Sequence, residues 1–287
     1  MVTLPIRLLA IDLDGTLVNH QFQISPADLA AVRRAHEAGV EVVVATGRRH
    51  RFAMPMSDQL GFDHWLISSN GAITRSSKGE DFHRDLLPTE TARHLCRAMQ
   101  EFRGNIVLTF DTDEKGALAL ERLDELTTVI QKWLEKNLKY IEFVIPVENC
   151  LGRNGDPVQA MFCGHVPRMR QALEALAAAG LEDRVTILRT EYPERDLSIV
   201  DVLNRGCSKG HALERWARYR NIPREQVMAI GDNFNDIEML EFAGQPFIMG
   251  NASQELRERG WSVTTSNAEH GVASAIEQVM GWIPAKV

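Results

Sequence analysis

The sequence predicts an α/β fold, a doubly wound and mostly parallel sheet interrupted by an inserted α+β module. Three observations lead there. Short apolar runs alternate with helical patterns at both ends of the chain, which is the signature of βαβ units. Three of those runs stop abruptly in polar residues, at Asp12, Thr46 and Asp232. Between them, from about Pro88 to Gly206, the alternation gives way to extended runs close enough to pair as hairpins.

The first strand is Ile6 to Ile11. A helix opens at Ser25-Pro26, because a serine hydroxyl can accept from a free N–H of the first turn and proline has no N–H there to satisfy. Leu29, Val32 and Ala35 recur at helical spacing, and Gly39 ends the helix. Val40 to Ala45 reads as a buried strand. The helical stretch His50 to Leu60 leads through Gly61 to a third strand, Trp65 to Ser68, and the turn pair Asn70-Gly71.

In the inserted module a helix from Pro88 to about Phe102 precedes two extended runs, Ile106 to Phe110 and Ala117 to Glu121. An amphipathic segment, Asp124 to Leu138, is followed by extended runs at Tyr140 to Ile145 and Val158 to Cys163. A helix from Pro167 to Ala179 and two more extended runs, Val185 to Arg189 and Leu197 to Leu203, complete it. After Gly206 the alternation returns: helix Ser208 to Arg220, strand Val227 to Ile230, helix Asp236 to Ala243, strand Pro246 to Met249. A strand near Trp261 to Thr265 and a helix from Gly271 finish the pattern.

Composition narrows the function. A net charge of -7 over 287 residues offers no general field for nucleic acid or an anionic membrane, and the short basic clusters Arg33-Arg34 and Arg48 to Arg51 are too small to supply one. The first apolar run is cut off at Asp12, far short of a signal-peptide core or the roughly 20 apolar residues of a spanning helix. A cytoplasmic location is therefore expected, with Cys96, Cys150, Cys163 and Cys207 reduced and structural. The histidines lack zinc-ligand spacing.

In open parallel sheets ligands bind outside the carboxyl ends of the strands, so the three polar strand ends should converge. Asp12 and Asp14, joined by Asp232 and Asp236, would concentrate four carboxylates in a small volume, and such a cluster needs a cation. Hard oxygen donors suit Mg²⁺, which keeps waters and a substrate phosphate oxygen in its shell. Thr46, Lys209 and the backbone amides of tight turns such as Gly47 supply donors for that phosphate. A lone lysine at a helix start would by default be a solvated charge, since helix N-termini disfavour cations.

The set Asp12-Leu-Asp-Gly-Thr-Leu, Thr46-Gly47-Arg48, Ser208-Lys209-Gly210 and Gly231-Asp232-Asn233-Phe234-Asn235-Asp236 resembles the haloacid dehalogenase (HAD) superfamily, and within it the Cof-type phosphatases. Met249-Gly250-Asn251-Ala252 and Ser266-Asn267 also stand where that group has similar segments, whereas His270 replaces a frequent acid.

The resemblance implies a Rossmann-like core in residues 1–84 and 206–287 and an inserted α/β cap in 85–205. It implies hydrolysis of small phosphorylated metabolites such as sugar phosphates, with Asp12 as nucleophile and Asp14 as proton donor and then base. It further implies Mg²⁺ on the Asp12 carboxylate, the Asp14 carbonyl and Asp232, with Lys209 and Thr46 neutralising the phosphoryl oxygens. Asp236 is expected to orient Lys209 or a water of the metal, and Asn235 to donate to the phosphate. Arg48 and Asn70 lie just past strand ends, where each can touch the leaving group or serve a turn or ion pair. Phosphoryl transfer to another hydroxyl, as in a mutase, and metabolite binding without turnover are the competing readings. The oligomeric state is not assigned.

Overall fold

A computed structural model describes residues 5–153 and 155–281 of the chain. Two compact units emerge, one from residues 1–84 with 208–287 and the other from residues 85–207.

The first unit begins with strand β1 (Leu8–Asp12), helix α1 (Pro26–Glu37), strand β2 (Glu41–Ala45), helix α2 (His50–Ser57) and strand β3 (Trp65–Ser68). All five residues of β1 are buried, as a central strand covered on both faces requires. Ser25 caps α1 through its side chain, accepting from the Asp28 N–H at 3.1 Å. The first unit then adds a hairpin, β4 (Ile73–Ser76) and β5 (Asp81–Arg84), which the sequence pattern did not announce.

The inserted unit runs α3 (Thr89–Ala98), β6 (Ile106–Thr109), β7 (Leu118–Leu120), α4 (Thr128–Glu135), β8 (Ile141–Phe143), β9 (Gln159–Gly164), α5 (Val166–Ala178), β10 (Val185–Tyr192) and β11 (Leu197–Asn204). Its six strands form one sheet in the order β10-β11-β9-β6-β7-β8. Every neighbouring pair is antiparallel except β7 and β8. Leu95, Phe102, Leu108, Phe110, Phe162, Met169 and Leu176 fill a core of its own beneath α3 and α5. The expected long segment at 124–138 shortens to α4, because Leu123 to Leu126 closes a turn first.

The chain returns to the first unit with α6 (Lys209–Tyr219), β12 (Val227–Gly231), α7 (Ile237–Phe242), β13 (Gln245–Ile248), α8 (Gln254–Arg257), β14 (Ser262–Val263) and α9 (Gly271–Met280). Eight strands order as β14-β13-β12-β1-β2-β3-β4-β5. The six from β14 to β3 are parallel, and the hairpin continues the sheet antiparallel. One face packs against α1 and α9 through Leu9, Ile11, Val42, Val44, Val272 and Ile276. The other packs against α6 and α7 through Leu8, Ala10, Val43, Trp216, Met239 and Leu240. This is the doubly wound arrangement, and β12, β1 and β2 lie side by side with their carboxyl ends at one edge. Among the described residues, no helix is long and apolar enough to cross a membrane.

Candidate active site

The register places Asp12 opposite Ala45, so the loop carrying Thr46, Gly47 and Arg48 starts beside the last residue of β1. On the other flank Ile11 pairs with Ile230, which brings Gly231 and Asp232 to the same edge. The fourth element is α6, whose first residue is Lys209.

Lys209 is almost fully buried, at 1% exposure, and is therefore not a solvated charge. Its Nζ donates to Asp12 Oδ1 at 2.6 Å and to Asp236 Oδ1 at 2.7 Å. Burial alone would depress the ammonium, but the charges of Asp12 and Asp236 outweigh it and hold the pKa above the ordinary lysine value. Asp236 spends its other oxygen on the backbone N–H groups of Asp232 and Asn233, at 3.0 and 3.1 Å. That carboxylate closes the turn after β12 and fixes the ammonium in one motion.

Asp12, Asp232 and Asp236 each bring a carboxylate oxygen within 4.8 Å of the others. Their ionised charge exceeds the single ammonium among them. Burial, and then the neighbouring Asp236, push Asp12 up to about 7 despite the attraction of Lys209. Burial and then Asp12 likewise hold Asp232 well above the carboxylate range. Asp12 Oδ2 is buried with no hydrogen-bond partner among the described residues. Among the described residues the Asp232 carboxylate has only long hydrogen bonds, from Thr16 Oγ1 and Asn251 Nδ2, both at 3.4 Å. An orphaned buried oxygen beside a weakly held carboxylate in an over-acidic pocket is what a hard divalent cation requires. Gly15 belongs to this geometry: at φ +87 it approaches Asp232 so closely that a Cβ would lie 2.3 Å from Oδ2.

The expected cluster of four carboxylates is corrected to three. The Asp14 carboxylate is not part of that group, and Arg48 grips it bidentately, Nε to Oδ2 and Nη2 to Oδ1, both at 2.6 Å. Arg48 thus forms an ion pair, and its guanidinium also lies 4.9 Å above the Phe22 ring. Thr46 is fully buried and its hydroxyl accepts from the Arg48 N–H at 3.1 Å. Asn70, in the left-handed region at φ +53, accepts from Asn235 Nδ2 at 2.9 Å. Gly47 lets that pair approach, since a Cβ there would stand 3.2 Å from the Asn70 amide. Asn70 and Asn235 are thus joined to each other across the loops after β3 and β12.

Sequence reasoning passed over Thr16 and the site contacts of Asn251. The Asn251 amide donates to the Gly15 carbonyl at 2.9 Å and tethers the loop after β13 to the turn after β1. Thr16 carried a signal, being in the same six-residue motif as Asp12. Asn251 sits near a neighbouring strand end, and only the strand order reveals that it returns to Gly15.

The family model for haloacid dehalogenase-like hydrolases matches residues 9–276. The chain belongs to this family. Phosphatase YwpJ of Bacillus subtilis is 31% identical, with 96% of this chain and 100% of the relative covered. The 5-amino-6-(5-phospho-D-ribitylamino)uracil phosphatase YwtE of the same organism is 28% identical over 96% and 98%. A solved haloacid dehalogenase-like hydrolase from B. subtilis superimposes with a TM-score of 0.77 at 26% identity, covering 95% of this chain and 99% of that one. The HAD-like hydrolase described here is an enzyme of the phosphatase group, a phosphoric monoester hydrolase.

Proposed function

We propose that this enzyme is a Mg²⁺-dependent phosphatase of small phosphate monoesters, sugar phosphates or similar metabolites, working through an aspartyl-phosphate on Asp12. The observation that carries the reading is the buried Asp12–Lys209–Asp236 chain beside Asp232, with Asp12 Oδ2 left without a partner. The named relatives favour it too, one of them acting on a phosphorylated ribityl compound.

In this reading the Asp12 carboxylate attacks phosphorus in line and the ester P–O bond breaks. The leaving oxygen takes a proton from Asp14. Water then attacks phosphorus, returns a proton to Asp14, and releases phosphate and the Asp12 carboxylate. A carboxylate is a weak nucleophile, so the rate must come from positioning and from neutralising the phosphoryl oxygens. Lys209 supplies one fixed positive charge, and Thr46 with the amides around Gly47 supplies donors. Asp12, Asp232 and the Asp14 carbonyl would hold Mg²⁺, which supplies further charge neutralisation when bound. Asp236 holds Lys209 in line, and Asn235 with Asn70 fixes the loop geometry on the phosphate side. Asp14 reaches a leaving oxygen only after parting from Arg48. Residues 85–207 are assigned as the family's cap, which selects the leaving group.

The test is phosphate release from a panel of monoesters, with and without Mg²⁺, for the wild type and Asp12→Asn. Metal-dependent turnover that the variant abolishes is expected. Full activity in Asp12→Asn, or no turnover on any ester, would sink the proposal.

A further inference from the structure

The inserted unit carries an open surface hollow of about 380 Å³ lined by Glu90, Arg93, His94, Arg97 and Arg184, all exposed except the half-buried Arg93. Arg93, His94 and Arg97 come from one stretch of α3, with Arg93 and Arg97 one turn apart on the same face. Arg184 comes from the turn before β10, where its N–H donates to the Leu181 carbonyl at 2.8 Å. Three guanidiniums and an imidazole therefore line one hollow with a single carboxylate.

The pairing of arginines across this unit makes the grouping informative. Arg103 pairs with Glu148, Arg122 with Glu125, Arg153 with Glu142, Arg168 with Glu101, and Arg170 and Arg189 with Glu191. Arg195 stacks on Tyr192, and Arg205 donates to the Asp183 carbonyl. Arg93 has the Glu148 carbonyl at 3.4 Å and Glu90 at 3.9 Å. Arg97 and Arg184 are the two arginines of the unit with no side-chain partner among the described residues, and both line the same hollow. His94 beside them has none either. Bringing like charges together is unfavourable unless an anion joins them, and the guanidinium fork matches a phosphate or carboxylate in two-point contact.

We infer that this hollow is a second anion site, independent of Asp12, that takes the phosphate group of a small metabolite or inorganic phosphate between Arg97 and Arg184. The hollow is open to solvent, so a phosphate group can reach the two guanidiniums with the rest of a metabolite left outside. The inference does not depend on the phosphatase reading, because all five lining residues lie in 85–207 and none belongs to the Asp12 cluster.

Amide NMR spectra of the full chain, recorded with EDTA to strip divalent metals, provide the test. Inorganic phosphate should shift the signals of His94, Arg97 and Arg184 saturably, while sodium chloride of equal ionic strength should not. Ribose 5-phosphate as a second probe separates the sources: tighter binding than inorganic phosphate assigns a metabolite, equal or weaker binding assigns the free ion. The variant Arg97→Gln/Arg184→Gln changes exposed side chains, so its unliganded spectrum should overlay that of the wild type. Its phosphate affinity at this hollow should fall at least tenfold. If the variant loses its fold, Arg97→Lys serves, with a smaller loss expected because a point charge replaces the fork. Shifts confined to residues near Thr46 and Lys209, equal shifts with chloride, or undiminished affinity in a folded variant overturn the inference.

Discussion

Lys209 stands where helix position and charge conflict. As the first residue of α6, behind the Ser208 cap, it places a cation at the positive end of a helix and buries it as well. Asp12 and Asp236 offset both costs, which makes the three side chains one unit. Removing one partner from a buried pair leaves an uncompensated charge and typically costs about 3–5 kcal/mol. Lys209→Met should accordingly lower the urea midpoint strongly at pH 8, and Lys209→Met/Asp236→Asn should recover part of the loss while remaining inactive. Equal midpoints for the two variants would show that the carboxylates do not repel as described. Asp12 sets a second expectation. A carboxyl whose folded pKa is raised binds more protons in the folded state, so its contribution to stability is present below 3.8 and is lost as pH rises through about 7. A divalent cation on the ionised group reverses this. Mg²⁺ should therefore raise the melting temperature more at pH 8 than at pH 6, and a pH-independent gain measured by calorimetry would contradict the assignment of Asp12 as a ligand.

Strands buried on both faces announce themselves, and this explains which elements the sequence disclosed. Leu8 to Asp12, Val42 to Ala45 and Val227 to Gly231 are continuous apolar runs closed by polar residues, so both the parallel core and its reactive edge were legible. The β4–β5 hairpin was not. Ile-Thr-Arg-Ser and Asp-Phe-His-Arg show no clean alternation, because β5 is an edge strand and its residues are half-exposed or exposed. The Asp14–Arg48 pair was equally hidden, since nothing in a linear chain says which of two flanking charges an aspartate will meet. The hairpin is anchored at His64, whose N–H donates to Ser77 Oγ at 3.2 Å while its carbonyl accepts from the Ser77 N–H at 2.8 Å. Burial lowers the His64 pKa below its ordinary 6.5. A neutral imidazole favoured in the folded state contributes stability that is fully present above pH 6.5 and is lost as pH falls from there through the lower folded-state pKa. Hydrogen exchange in β4 and β5 should quicken between pH 7 and pH 5 after correction for intrinsic rates. His64→Asn, which keeps a donor for the Phe62 carbonyl without titrating, should flatten the response.

At the scale of the whole molecule, every residue of the candidate site lies in the first unit, and the inserted unit has a separate core. Chemistry and recognition can therefore change independently if residues 85–207 act as the cap. Exchanging that segment for its equivalent in phosphatase YwpJ should alter relative kcat/KM among esters while leaving the Mg²⁺ midpoint within about twofold. A changed midpoint with unchanged ester preference would reverse the assignment. The strand order carries a last consequence, for the chain as it is being made. Strand β1 hydrogen-bonds β2 on one side and β12 on the other, and β12 begins only at Val227. Until those residues leave the ribosome, the nascent chain holds a half-built sheet with an open apolar edge, and such an edge invites pairing with other chains. That edge stays unpaired while the inserted unit emerges, and it closes only when Val227 to Gly231 arrive, just before Asp232 completes the acidic cluster.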